Sequence, residues 1–351
     1  MRALIIDGPE RFGFSEIAAP VAGPGEVLVD VLCGGICGTD VEIIHGDMVY
    51  FTTGMALYPV VPCHEWTGVV ADVGRDVEGF ALGDHVVGEV SIGCRACGVC
   101  LSGNYHRCSF RTETGILGRQ GAFAEQIALP AAFLHRISPD VPLGSAALVE
   151  PSAVAFNGVL RAGVSPRDYV AIFGDGPIGL LILQIVKIFG ASRVLLVGAA
   201  DRRLQLARKL GADEVIDVRS GDLYRRVREN WRGTLPDVVF EASGSPDAIK
   251  AAITLTAPGG RLILQGFCGS RHVRDLNTDS IIVNDLTVIG VLGSPGVWSN
   301  VIRLIECGRF NPSEIVTDEL PVSAFREAIR RVESREAVKV VLRTDAEAAW
   351  K

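Results

Sequence analysis

Four cysteines crowd one short stretch, SIGCRACGVCLSGNYHRC, where Cys94, Cys97, Cys100 and Cys108 are spaced C-x2-C-x2-C-x7-C. Four thiolates so close in sequence can close a tetrahedral shell around one ion, and a closed shell leaves no place for a substrate. The expected role is structural and the expected metal is zinc; iron–sulfur spacings are related, so a cluster remains the alternative. A second set of donors is dispersed: Cys37 in GGICGTDVEIIHGD, His64 and Glu65 in PCHEWTG, and Glu150 in AALVEPSAVAFNGV. Each alone suits ordinary packing, as a buried thiol, a core histidine or a helix-start carboxylate. Together their sulfur, nitrogen and oxygen atoms suit an accessible zinc with an open position. Cys63 precedes His64 on an extended run, so its side chain points to the other face and is expected to pack.

A third pattern is VAIFGDGPIGLL, in which Gly174, Gly176 and Gly179 form GxGxxG between a β-like run and a helical one. Gly174 permits a tight turn, Gly176 a close approach of backbone to pyrophosphate, and Gly179 contact between helix and strand. Pro177 and Ile178 open the helix, whose N-terminal N–H groups and dipole favour the anion. An NAD site usually carries Asp or Glu about 20 residues further on. Here RVLLVGAADRR puts Gly198 at that place, with Arg202 and Arg203 following. Loss of the acid and gain of two guanidiniums lean toward NADP, with NAD or dual use still open. Asp201 either takes the ribose hydroxyls or caps the next helix.

The elements that must position these residues follow from texture. Up to about residue 155 the chain shows short alternating runs such as EVLVDVLCGG, TGVVADVG and DHVVGEV, separated by Gly and Pro. From about residue 165, β-like runs alternate with helical ones, the pattern of a doubly wound parallel sheet. The tail returns to mixed elements. The expected layout is therefore a β-rich domain at 1–155 with a cysteine lobe at about 91–111, an inserted Rossmann domain at 156–292, and the rest of the first domain at 293–351. Hydrophobic residues make up 48% of the 351 and charged ones 21%, which is globular composition. A net charge of -7 with scattered Lys and Arg excludes nucleic acid as an expected partner. Nothing resembles a signal peptide, and the longest apolar stretch is broken by Asp175, Pro177 and Lys187, so neither export nor a membrane is expected. A cytoplasmic location follows, in which clustered cysteines mean metal more often than disulfides.

The ordered set CGTD, HEWTG, the cysteine lobe, VEP and GDGPIG resembles the zinc-dependent medium-chain dehydrogenase/reductase family over essentially the whole chain. It is most similar to the polyol, threonine and secondary-alcohol branches. The resemblance implies an α/β fold: a GroES-like catalytic domain with an inserted doubly wound Rossmann domain. It implies two zinc ions per chain, the catalytic one on Cys37 and His64 with Glu65 and Glu150 exchanging as third ligand. Thr39 then accepts the substrate proton, Asp40 orients His64, and Lys339 faces the cofactor pyrophosphate. Family members often carry histidine where this chain has Glu42, so the relay to solvent runs through Glu42, water or His45. Glycine usually stands where Cys63 does.

The implied reaction is reversible hydride transfer between a secondary alcohol and NAD(P), with a simple NADPH ketone reductase, or a non-catalytic nucleotide-binding protein, as the alternatives. Asp47, Tyr50, Thr52 and Thr53, with a segment ending near Trp298, are expected to line the pocket. They favour a polyol, cyclitol, aminocyclitol or hydroxy amino acid, or the matching ketone. The resemblance also implies a homodimer or homotetramer, with LTVIGVL as a candidate contact.

Overall fold

The computed structural model describes residues 1–230, 233–269, 271–345 and 347–350. The chain divides into two units, one made of Met1–Glu150 with Gly293–Lys351, the other of Pro151–Leu292. The first cut falls inside the helix Val149–Ala162, and the expected boundary at 155 lies further along the same helix.

The first unit is built on a seven-stranded sheet. Its row runs Leu134–Arg136, His85–Gly88, Glu65–Val73, Glu26–Gly35, Lys339–Arg343 and Val316–Pro321, with Gln126–Pro130 paired to Glu26–Gly35 off the row. Pairing is antiparallel except between the last two strands of the row. Alternation decides which face is buried: Val27, Val29 and Val31 are at most 2% exposed, while Asp30 between them faces water. Trp66, Phe123, Phe325, Leu4 and Ile6 fill the same core. The strand Lys339–Arg343 comes from the far end of the chain, yet it is interior to the sheet: Val341 faces Gly35, Leu342 faces Gly34 and Arg343 faces Cys33. On the other side Gly35 faces Glu65. Three strands therefore bring Gly35, Glu65 and Val341 side by side. The cysteine lobe hangs from a separate small sheet of Ser91–Ile92, Thr112–Thr114 and Gly118–Arg119.

The second unit carries six parallel strands in the order Glu214–Asp217, Arg193–Gly198, Tyr169–Phe173, Val238–Glu241, Arg261–Leu264 and Thr287–Gly290. Its central strands are apolar along their length rather than alternating, as a sheet covered on both faces requires. The chain starts in the middle at Tyr169–Phe173, winds one way, then crosses back to Val238–Glu241. The crevice beyond the carboxyl ends of the strands at that reversal is where open α/β sheets bind ligands. No helix among the described residues is long and apolar enough to cross a membrane.

A Cβ at Gly68 would press into the Asp30 carbonyl and the Val29 side chain across the main strand pair. Gly68→Ala is expected to cost about 1–3 kcal/mol through this overpacking. Calorimetry of the two proteins measures it as a lower denaturation temperature.

Candidate active site

In the lobe, the short helix Gly98–Leu101 and the turn Tyr105–Arg107 fold the four cysteines inward. Their sulfurs all lie within 4.8 Å of one another, with Cys94 to Cys100 at 3.9 Å and Cys97 to Cys108 at 3.8 Å. A tetrahedron with zinc–sulfur bonds of about 2.3 Å has edges of about 3.8 Å. The donor set therefore fits one zinc ion. A four-iron cluster binds each thiolate through a different iron and spreads the sulfurs further apart. Backbone N–H groups of Ala96 and Cys97 pull the Cys94 thiol down to about 6, whereas desolvation and the neighbouring cysteines push Cys100 up to about 12, so a cation is needed to make all four thiolates.

The dispersed donors also converge. Ligand atoms of Cys37, His64 and Glu65 lie within 4.8 Å of one another, His64 and Glu65 being buried. Cys37 stands at the N-cap of the helix Gly38–His45, and His64 directly precedes the strand that Glu65 opens. Asp40 joins the two segments: its Oδ2 accepts the Cys37 N–H at 2.8 Å and its Oδ1 the Cys63 N–H at 3.1 Å. Asp40 was expected to orient His64 directly. It holds instead the backbone on which both ligands are mounted, and His64 Nδ1 is buried with no hydrogen-bond partner. An orphaned imidazole nitrogen beside a buried thiol and a carboxylate fits zinc, for which mixed S/N/O donors are suited. Burial, followed by the charge of Glu65, holds the Cys37 thiol well above its ordinary value, so a cation there is needed to make it a thiolate. The half-buried Thr39 hydroxyl lies 3.8 Å from Cys37 Sγ.

Glu150 is not part of the 4.8 Å group. It is buried close enough to feel it: burial raises its carboxyl to about 7, His64 and Lys339 oppose the rise and Glu65 adds to it. Lys339 corrects an expectation. It does not face a pyrophosphate, for its side chain is 2% exposed, pairs with the Glu65 carboxylate and donates to the Ile36 carbonyl at 2.7 Å. The pairing needs Gly35, where a Cβ would collide with Glu65 and crowd Lys339.

Cys63 adopts φ 84°, the left-handed region that favours glycine. Its Sγ points at the Glu65 carbonyl, 3.3 Å away, and fills the space over Gly34. His45 differs from its expected role. It is exposed, and its ring nitrogens sit on Glu10 and Glu333 at 2.5 Å each, which leaves neither nitrogen for a relay. Glu42, half-buried one turn after Thr39, remains the relay candidate on that helix. Trp298 itself is 1% exposed, stacked on His135 and bonded to Ser294, while Gly293, Ser294 and Pro295 of the segment before it line a small cavity with Glu150. The hydroxyls of Thr52 and Thr53 return to the Val49 carbonyl, and Tyr50 is engaged by Arg111.

In the second unit the glycine loop has the cradle shape. Gly174 turns at φ 125°, Gly176 is extended with nothing within 4 Å of a would-be Cβ, and Pro177 is the first residue of the helix Pro177–Ile188. A Cβ on Gly179 would strike the Gly174 carbonyl. Open backbone at a helix N-terminus fits a dinucleotide pyrophosphate. Arg202 is exposed, but Arg203 is buried and so is not a surface cation for a phosphate. Asp201 opens the helix Asp201–Lys209 without capping it; its carboxylate pairs with Arg219. The end of the strand at Gly198 is not free of acid as expected, because the Asp175 carboxylate lies against it. Sequence reasoning missed Asp175; its only signal was an acid inside a glycine loop.

Two family profiles match the chain: "Alcohol dehydrogenase GroES-like domain" over residues 23–139 and "Zinc-binding dehydrogenase" over residues 177–306. The chain is 33% identical to the erythritol/L-threitol dehydrogenase of Mycolicibacterium smegmatis, with 97% of each covered. It is 34% identical to the L-threonine 3-dehydrogenase of Pyrococcus horikoshii, with 93% of each covered. The NADH complex of an Escherichia coli protein described as a short chain alcohol dehydrogenase superposes with a TM-score of 0.90, at 28% identity over 98% of this chain and 99% of that one.

Two outcomes follow from the first unit. Cys63→Gly is expected to keep the metal content of the Cys37 site while His64→Ala loses it; equal losses by elemental analysis would show that Cys63 is a ligand. The bonds from Glu10 and Glu333 raise the His45 pKa, so this clamp stabilises fully below the ordinary histidine value of about 6.5 and is lost as pH rises through the higher folded value. Being exposed, it contributes about 1 kcal/mol or less. Urea unfolding across that window is expected to show the gap between wild type and His45→Gln closing as pH rises.

Proposed function

The chain belongs to the zinc-dependent medium-chain alcohol dehydrogenase family, and from that premise we propose how its own residues carry the reaction and on what substrates. It is an oxidoreductase acting on secondary alcohols with NAD(P). The substrates proposed are polyols and their relatives, cyclitols, aminocyclitols or hydroxy amino acids, and the matching ketones. The relatives named for erythritol, threitol and threonine support this class, since all are alcohols carrying a second polar group.

The observation that carries the proposal is the convergence of Cys37, His64 and Glu65 within 4.8 Å, with the Thr39 hydroxyl beside Cys37. These three residues would hold the catalytic zinc, with Glu150 as the carboxylate that replaces Glu65. The four lobe cysteines would hold a second, structural zinc. When bound, zinc supplies Lewis acidity toward the substrate oxygen, and the nicotinamide accepts or returns the hydride. Asp40 keeps the ligand-bearing segments in place through the Cys37 and Cys63 N–H groups. Lys339 balances the Glu65 charge and holds that carboxylate until it exchanges. Thr39 takes the proton of the substrate hydroxyl and passes it toward Glu42 and solvent, returning it when a ketone is reduced.

A homodimer or homotetramer belongs to the same proposal. The edge strand Thr287–Gly290 is largely exposed, and Ile282 and Val283 beside it are 75% and 82% exposed. All nine cysteines are unpaired, which supports a reducing, cytoplasmic setting.

Elemental analysis is expected to give two zinc ions per chain, falling to one in Cys37→Ala with activity lost. Thr39→Val is expected to keep both ions and lower kcat by about 100-fold, the usual worth of a positioned proton acceptor. Full zinc and full activity in Cys37→Ala would overturn the assignment. A screen over polyols, cyclitols, threonine and simple secondary alcohols with both cofactors identifies the class; a clear preference for simple secondary alcohols would remove the hydroxylated-substrate part.

A further inference from the structure

Asp175 is the second residue of the Gly174–Gly179 loop, and its side chain reaches across to the end of the neighbouring strand Arg193–Gly198. Its Oδ2 accepts the N–H of Ala199 and the N–H of Ala200, each at 2.8 Å. A Cβ on Gly198 would stand 2.5 Å from Asp175 Cβ and 2.6 Å from Oδ2. The glycine therefore makes room for a carboxylate of this chain. A missing acid at Gly198 does not mean a missing charge, because the charge arrives from the loop.

The two N–H groups are consecutive and lead into the nine-residue helix Asp201–Lys209. Successive backbone donors at a helix start form a nest suited to an anion, here to a ribose phosphate. In this protein the nest already holds one. Surrounding cations do not reverse the balance. Arg203 is buried, and the Arg219 charge is met by both Asp201 and Asp217, so of the two arginines that follow Gly198 only Arg202 is exposed.

Resting on the dehydrogenase reading above, we infer that Asp175 is the residue that makes this site select a dinucleotide with a free ribose 2′-hydroxyl over one with a 2′-phosphate. A hydroxyl placed here donates to a carboxylate, as at the acid that other NAD sites carry on the strand itself. A phosphate brings close to two negative charges toward Asp175 and finds the two N–H groups taken. The direction is opposite to what Gly198, Arg202 and Arg203 suggest in the bare sequence.

The test is equilibrium binding of NADH and NADPH to the full chain, read by nicotinamide fluorescence without substrate. Wild type is expected to bind NADH at least about tenfold more tightly, the order of one lost charge-assisted contact. Asp175→Ala frees both N–H groups, and Asp175→Asn keeps the size while removing the charge. Each is expected to shift the affinity ratio toward NADPH by about 10- to 100-fold, whatever happens to NADH binding itself. Wild type binding NADPH as tightly as NADH, or a ratio unchanged in Asp175→Asn with the far-ultraviolet circular dichroism of wild type, overturns the inference. Failure of both cofactors to bind wild type is a different result: it sinks the dehydrogenase reading, and the inference with it. Should Asp175→Ala not fold, the Asp175→Asn ratio decides.

Discussion

The grouping of Cys37 and His64 depends on one buried carboxylate, Asp40. It is fully buried, and burial pushes its carboxyl upward, against the pull of His64 and the N–H groups of Cys37 and Cys63. Desolvating a carboxylate costs several kcal/mol, and charge-assisted bonds to fixed N–H groups are the interactions strong enough to offset it. Because those two N–H groups belong to different segments, the same bonds tie the helix start that carries Cys37 to the loop that carries His64. Asp40 thus acts as a brace between two ligands it does not itself resemble. The left-handed backbone of Cys63 is part of the arrangement, since its N–H donates to Asp40 directly before His64.

A second constraint is the ion pair of Glu65 with Lys339. Both side chains are 2% exposed, so each would be a costly buried charge alone. The partners meet only because Lys339–Arg343, from the chain's far end, inserts beside Glu26–Gly35. This gives a physical meaning to the split of the first unit. The strand that closes its sheet also neutralises a carboxylate of the metal group, and Gly35 leaves the space for both. The Glu65 carboxylate is thus oriented by a countercharge that shares its burial.

Much of the fold was legible. Period-two runs before about residue 155 and βα units after it correspond to the antiparallel and parallel sheets, because burial on one face or on both leaves its mark on each strand's own residues. The lobe was legible for a similar reason. Short spacing keeps four thiols within reach of one another whatever surrounds them. Cys37, His64, Glu65 and Glu150 were recognisable as a set, although nothing local placed them together, and Glu150 lies outside the group that the other three form. Lys339 and His45 were misplaced, and the cause is common to both. Lys339 is held by Glu65 and His45 by Glu10 and Glu333, each a partner distant in the chain.

The sequence by itself determined the classes of donor, the close grouping of the four lobe thiols and the glycine-rich turn between strand and helix. These depend on residue type and on spacings short enough for the backbone to fix. The tertiary structure alone decided where charges lie. Asp40 became a brace, Lys339 a countercharge and Asp175 the acid at the end of the strand Arg193–Gly198 once register and crossing put them there. Electrostatic energy depends on distance through space and on burial, and neither can be read from separation along the chain.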